Sequence, residues 1–163
     1  MNFKDKVAVI TGAASGMGAA TARGFAEQGG KVIIVDRNEA LAQDVAQEIN
    51  AITMIGDISD SAFCNNAINK AVYEFGKLDV LVNAAGIIAR KDTLETDDET
   101  WQRVMNVNVN GLFFMSRAAI EVMKAQGHGN IVNFGSIWGG VGAAGVIAYC
   151  ASKGAVHQIT RSM

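Results

Sequence analysis

The chain contains no proline, although ordinary usage of ~5% would place roughly 8 in a sequence of this length. Loop shape must therefore come from glycine, which occurs 18 times. Cysteine is nearly as scarce. Cys64 and Cys150 lie in unrelated segments, which excludes a disulfide framework or a cysteine-based metal site and fits a reducing compartment; both read as small core residues. The two histidines, His128 and His157, have no partner residues that would suggest a metal ion. No apolar run approaches the ~18 residues that span a bilayer, and the first ten residues carry Lys4, Asp5 and Lys6, too polar for a signal peptide. No membrane partner is expected, and the expected location is cytoplasmic. An excess of basic charge is also missing. The 14 Lys and Arg are spread along the chain against 16 Asp and Glu, so no basic stripe exists to displace counterions from a phosphate backbone, and nucleic acid is not an expected partner.

Half of the 163 residues are hydrophobic, enough for one core and one domain over residues 1–163. Short β-branched runs recur at Val7–Ile10, Val32–Val35, Ile52–Ile55, Val80–Val82 and Ile131–Phe134, apolar on consecutive positions as in strands covered on both faces. Between them Leu41, Val45 and Ile49, then Phe63, Ala67, Ala71 and Phe75, repeat at helical spacing. Asn38 is placed to cap the second helix, Thr96 and Glu99 have the spacing of a capping box, and Gly29, Gly76 and Gly127 stand where helices should stop. A last helix starts near Tyr149 and reaches Met163 without a stop signal. The order β, α, β, α predicts an α/β fold of the Rossmann type: a doubly wound parallel sheet with helices on both faces and right-handed crossovers. No other repeat, low-complexity stretch or linker interrupts it.

Directly after the first run comes Thr11-Gly12-Ala13-Ala14-Ser15-Gly16-Met17-Gly18, followed by a helical pattern over residues 19–28. Glycines there permit positive φ and close approach of a pyrophosphate, which the helix N-terminus attracts. The spacing is GxxxGxG rather than GxGxxG, and taken alone it also fits a tight turn with no ligand. Asp36 follows 18 residues after Gly18, near the ~20 expected of an acid that binds the adenosine ribose. Its carboxylate accepts hydrogen bonds from ribose hydroxyls and repels a 2′-phosphate, so NAD is favoured over NADP, while Arg37 beside it can meet a phosphate. Asp57, with Ile58, ends the third run; spacing alone fits it equally to the adenine end of a dinucleotide and to a turn before Ser59 and Asp60.

Tyr149 and Lys153, four apart, share one helix face and can point into one cleft. A tyrosine ordinarily ionises near ~10, so proton exchange near neutrality requires roughly 4 kcal/mol of preference for the phenolate, which a neighbouring ammonium helps to supply. Ser136 precedes the tyrosine by 13 residues, enough for a glycine-rich loop to return it over the helix start. Ser136 lacks the GxSxG elbow of a hydrolase nucleophile. His157 reads as a packing or surface residue and Arg90 and Lys91 as solvated charges. Trp138 fits a pocket wall, with Ile87 and Ile88 opposite, as well as it fits a loop anchor.

Together these residues resemble the short-chain dehydrogenase/reductase family, in its simple oxidoreductase branch rather than the epimerase branch. Its motifs stand in order as Thr11 to Gly18, Asn83-Ala84-Ala85-Gly86, Asn108 within Val107-Asn108-Val109-Asn110-Gly111, Ser136, and Tyr149-Cys150-Ala151-Ser152-Lys153. The resemblance implies that Tyr149 exchanges the hydroxyl proton and Ser136 hydrogen-bonds the oxygen of a small-molecule alcohol or carbonyl substrate. It implies that Lys153 binds the nicotinamide ribose and that Asn108 holds a water linking that lysine to solvent. Gly12, Ser15, Gly16, Met17 and Gly18, then Asp36 and Arg37, Asp57 and Ile58, and residues Asn83, Ala84, Ala85 and Gly86 line the implied cofactor. The implied reaction is hydride transfer between NAD(H) and a secondary alcohol or ketone. The alternatives are an NADP-dependent carbonyl or 3-oxoacyl thioester reductase and a dinucleotide-binding module without turnover. Family members usually continue through further strands and a helix after the tyrosine helix. The 163 residues therefore read as incomplete at the C-terminus, poorly active alone, with the fifth strand an unprotected edge; the complete chain is expected to be a homo-oligomer.

Overall fold

The computed structural model describes residues 2–163. Five strands, β1 (Val7–Thr11), β2 (Lys31–Asp36), β3 (Ile52–Ile55), β4 (Val80–Asn83) and β5 (Asn130–Asn133), are joined by helices. These are α1 (Gly16–Glu27), α2 (Glu39–Ile49), α3 (Ser61–Phe75), α4 (Asp98–Met105), α5 (Leu112–Gln126), α6 (Trp138–Val141) and α7 (Ile147–Ser162). A π-helical stretch, Asn106–Gly111, runs from α4 into α5. The strands form one sheet of order β3-β2-β1-β4-β5, with every pair parallel.

Alternation along β1 sends Val7 and Val9 to one face and Ala8 and Ile10 to the other, and each face has its own core. On the first face Val9, Ile33 and Leu81 pack with Ile68 of α3 and Met115 of α5. On the second, Ile10, Ile34 and Val82 pack with Ala22 and Phe25 of α1 and Val45 of α2. This double cover is why the strands read as continuous apolar runs rather than alternating ones. The doubly wound, Rossmann-like fold expected from the sequence is observed, and among the described residues no helix is long and apolar enough to cross a membrane.

Local signals hold where a side chain meets its own turn. Asn38 Oδ1 accepts from Leu41 N at 3.2 Å, and Gly76 and Gly127 end α3 and α5 in the left-handed conformation. The expected Thr96–Glu99 capping box does not form. Asp97 caps α4 instead, accepting from Thr100 N at 2.7 Å, while the Thr96 hydroxyl donates back to Asp92 O; a carboxylate is a stronger cap acceptor than a hydroxyl, so the helix start shifts one residue on. α1 starts at Gly16, inside the glycine loop rather than at residue 19, and α7 starts two residues before Tyr149. The fifth strand is Asn130–Asn133, so Phe134 falls in the loop after it. It is a sheet edge, with Val132 48% exposed.

At the amino ends of the strands, Asp79 staples the sheet. Its buried carboxylate accepts from Val7 N at 2.9 Å and pairs with Lys6 at 3.1 Å and Lys77 at 3.0 Å. Burial pushes this carboxyl up, but the Lys77 ammonium, the Val7 N–H and the Lys6 ammonium outweigh it and hold the group below the usual carboxylate range. A pKa depressed on folding adds stability at neutral pH that is lost as pH falls through the folded value. Asp79→Ala should lower urea stability at pH 7 by about 1–3 kcal/mol, since it leaves Val7 N buried without an acceptor. The difference from wild type should shrink below about pH 4; an unchanged midpoint at pH 7 would reject the staple.

Candidate active site

The strand order reverses between β1 and β4, and the carboxyl ends of a parallel sheet open a crevice at such a point. A cleft of about 290 Å³ lies there. Gly12, Ser15, Met17 and Gly18 line one part of it, Asp36 and Arg37 with Asp57 and Ile58 another, and Ala84, Ala85 and Gly86 the wall from β4. Gly12 has φ +65°, and a Cβ there would stand 2.7 Å from the backbone of Ala85. A Cβ on Gly18 would overlap the carbonyl of Gly12. The loop can thus fold this tightly only with glycine at both positions.

The first turn of α1 is electrostatically bare. Ser15 at its N-cap makes no side-chain cap bond and no acidic residue follows. By contrast α2, α3 and α4 are capped by Asn38, Asp60 and Asp97. The positive end of α1 therefore faces the cleft without a side-chain cap or a first-turn acid, a condition that favours an anion. Asp36 is anchored by two backbone donors, Ala14 N to Oδ2 and Asn38 N to Oδ1, each at 3.0 Å. Asp57 accepts from Ser59 N at 2.8 Å, so it is a turn residue as well as a cleft residue.

Beside the β4 end of the cleft a second group of side chains gathers. Lys153 on α7 is 6% exposed, and its Nζ donates to Phe134 O at 2.5 Å. Burial pushes this ammonium's pKa down, and no carboxylate pairs with it among the described residues. A Cβ on Gly86 would lie 3.7 Å from Lys153 Nζ and 3.4 Å from Asn108 Oδ1, so all three meet at one point. The Asn108 amide is held by three bonds: Oδ1 accepts from Ile87 N at 2.8 Å, and Nδ2 donates to Ile87 O at 2.9 Å and to Ser152 Oγ at 3.0 Å. The Ser152 hydroxyl donates in turn to Tyr149 O at 2.8 Å. Lys153 Nζ lies 5.7 Å from the Tyr149 ring centroid. Ser136 Oγ accepts from Trp138 N at 3.2 Å, which leaves its own proton free to donate elsewhere. Trp138 meets the Tyr149 ring edge-on at 6.1 Å.

Of the site residues singled out in the sequence, Gly16, Asn83, Asn108, Ser136, Tyr149 and Lys153 do not line the cleft itself. Asn83 is turned to its neighbours, donating to Ser116 at 3.0 Å and Asn133 at 2.9 Å, and so ties β4 to β5 and α5. His157 packs under the loop after β5, where a Cβ on Gly135 would stand 2.7 Å from its Nε2. Sequence reasoning missed four contributors: Val35, Gly56 and Val107, which line the cleft, and Ser152, which joins Asn108 to the tyrosine helix. Ser152 carried a usable signal, a small hydroxyl between Tyr149 and Lys153; Val35, Gly56 and Val107 carried none.

A family model described as short chain dehydrogenase matches residues 6–163. The chain belongs to that family. This short-chain dehydrogenase chain is 43% identical to galactitol 2-dehydrogenase (L-tagatose-forming) of Cereibacter sphaeroides, over 96% of this chain and 63% of that protein. It is 39% identical to cyclopentanol dehydrogenase of a Comamonas species, covering 97% of this chain and 65% of the relative. The crystal structure of a short-chain type dehydrogenase/reductase from Mycobacterium marinum superposes with a TM-score of 0.95 at 32% identity, over 99% of this chain and 69% of that one. The chain thus spans somewhat less than two thirds of the length of the two curated relatives.

The Lys153 geometry separates stability from function. In Lys153→Met the lost bond to Phe134 O and the relief of a buried charge oppose each other, so unfolding stability should stay within about 1 kcal/mol of wild type. Affinity for a nicotinamide dinucleotide, read by titration calorimetry, should fall at least tenfold. A large loss of stability with unchanged affinity would show Lys153 to be structural.

Proposed function

We propose that this chain carries the nucleotide-binding and catalytic groups of an NAD-dependent oxidoreductase that interconverts a secondary alcohol and a ketone. The observation that carries the reading is the meeting of buried Lys153, Asn108 and Gly86 beside the cleft, with Tyr149 on the same helix face. The cleft suits a dinucleotide: a bare helix N-terminus at one part for the diphosphate and an anchored carboxylate at another for a ribose. When bound, the nicotinamide supplies the acceptor for a hydride from the carbinol carbon.

The protein's own groups then have defined work. The first-turn N–H groups of α1 hold the diphosphate, and Asp36 accepts from the adenosine ribose hydroxyls where a 2′-phosphate would meet its charge. Gly86 lets the cofactor approach the β4 loop. The Ser136 hydroxyl, oriented by Trp138 N–H, donates to the substrate oxygen, and the Tyr149 oxygen takes the hydroxyl proton as the C–H bond is lost. Lys153 puts a positive charge beside the phenol and donates to the nicotinamide ribose. Both Asn108 Nδ2 protons are engaged by protein, but Oδ1 accepts only one hydrogen bond, so its second lone pair is the group available to a proton-carrying water beside Lys153. A neutral small-molecule alcohol or carbonyl is the proposed partner.

Absorbance at 340 nm with NAD and a panel of secondary alcohols tests this. Turnover, weak in the 163 residues alone, should be measurable and should fall by about 10²–10⁴ in Tyr149→Phe, the range lost with a positioned proton-transfer group. Binding of NAD without turnover of any panel member would favour a nucleotide-binding module instead. The kcat/KM with NAD should exceed that with NADP by at least tenfold, and Asp36→Ala should narrow the ratio; an NADP preference in the wild type would overturn the role given to Asp36.

A further inference from the structure

Ser136 is held by its main chain as well as by its hydroxyl. Its carbonyl accepts from Gly139 N at 3.0 Å and its Oγ from Trp138 N at 3.2 Å, both in the turn that follows it. Its own N–H has no partner so near in sequence. That N–H is directed to α7, where Nε2 of His157 accepts it at 3.5 Å, across 21 positions of the chain. The bond is at the long limit, and packing rather than its strength fixes the ring. A Cβ on Gly135 would stand 2.7 Å from Nε2 and 3.0 Å from Cδ2, so the imidazole fills the space that any side chain at position 135 would need.

α7 thereby grips the loop after β5 twice. Lys153 Nζ donates to Phe134 O at 2.5 Å, and one helical turn further on His157 accepts from Ser136 N. Residues four apart on a helix lie on one face, so Tyr149, Lys153 and His157 follow one another along the same side of α7. The two grips act on the two peptide groups that flank Gly135. Glycine admits the imidazole but gives the loop no stiffness of its own, so the direction of the chain into Ser136 is set from α7. The bond needs a neutral imidazole with its proton on Nδ1; the other tautomer, or an imidazolium, would set N–H against N–H.

We infer that His157 is a positioning residue for the alcohol–ketone reaction: by holding the Ser136 N–H, its Nε2 sets the place from which the Ser136 hydroxyl donates to the substrate oxygen. The inference rests on the role proposed above for Ser136 and deepens it. His157 acts only through Ser136 and takes no part in the proton or hydride transfer, which stay with Tyr149 and the nicotinamide.

The first measurement needs no substrate. Long-range proton–nitrogen NMR of the full chain at about pH 8, where an ordinary imidazole is neutral, reads the tautomer of both histidines, and His128→Gln identifies the signals of His157. His157 should carry its proton on Nδ1 and leave Nε2 bare; a proton on Nε2 would overturn the inference whatever any variant does. The second is steady-state kinetics with NAD and the panel of secondary alcohols. His157→Leu, which keeps the bulk but not the acceptor, should lower kcat about tenfold with KM for NAD changed by less than about twofold. His157→Gln, which restores an acceptor, should recover most of the loss. In a Ser136→Ala background His157→Leu should cost less than about twofold more, since the group it positions is gone. An equal loss with and without the Ser136 hydroxyl would make His157 a packing residue, overturning the inference while leaving the oxidoreductase reading intact. Folded wild type that turns over no panel alcohol would remove that reading and the inference with it.

Discussion

The loop after β1 lies against the loop after β4 at a distance that only glycine permits. With a Cβ at position 12 the two backbones would collide, and with one at position 18 the first turn of α1 would strike the Gly12 carbonyl. This close packing puts the N-terminus of α1 at the switch point of the sheet, where the cleft opens. It also brings Ala14 N within reach of Asp36, so the ends of β1, β2 and β4 hold fixed positions around one crevice. The geometry of the cleft is thus a by-product of backbone packing, and its side chains inherit it.

Asn108 supplies the second constraint. The π-helical stretch in which it sits links two α-helices at the place where its amide reaches the backbone of Ile87 and the hydroxyl of Ser152. Through Ser152 the same amide reaches Tyr149. One side chain therefore ties the β4 loop to the helix that carries Tyr149 and Lys153. The lysine beside it has no carboxylate partner among the described residues and is buried against a carbonyl, an arrangement that folding alone would not select. The chemistry proposed for it gives that charge a use.

Much of this was legible in sequence because it is local. Consecutive β-branched residues announce a strand covered on both faces, glycine after such a run announces a tight loop, and Asn38, Gly76 and Gly127 act on backbone groups within a few residues of themselves. Tyr149 and Lys153 share a face by helical geometry alone. The capping of α4 went astray at the same local scale, since Asp97 and Thr96 compete for one helix start and spacing does not rank their acceptor strength.

The amino-acid sequence by itself determined the alternation of elements, the glycine loop and the residue types of the site. Tertiary structure alone decided that Lys153 meets Asn108 and Gly86, that Asn83 turns to Ser116 and Asn133, and that Gly56 and Val107 line the cleft. It also decided that the two tryptophans lie in unlike surroundings, one in a core and one against Tyr149. The physical reason is separation along the chain. A cap or a turn acts within four residues and is written in its neighbours, whereas Asn108 and Ser152 are 44 positions apart and meet only because a five-stranded sheet brings their helices together.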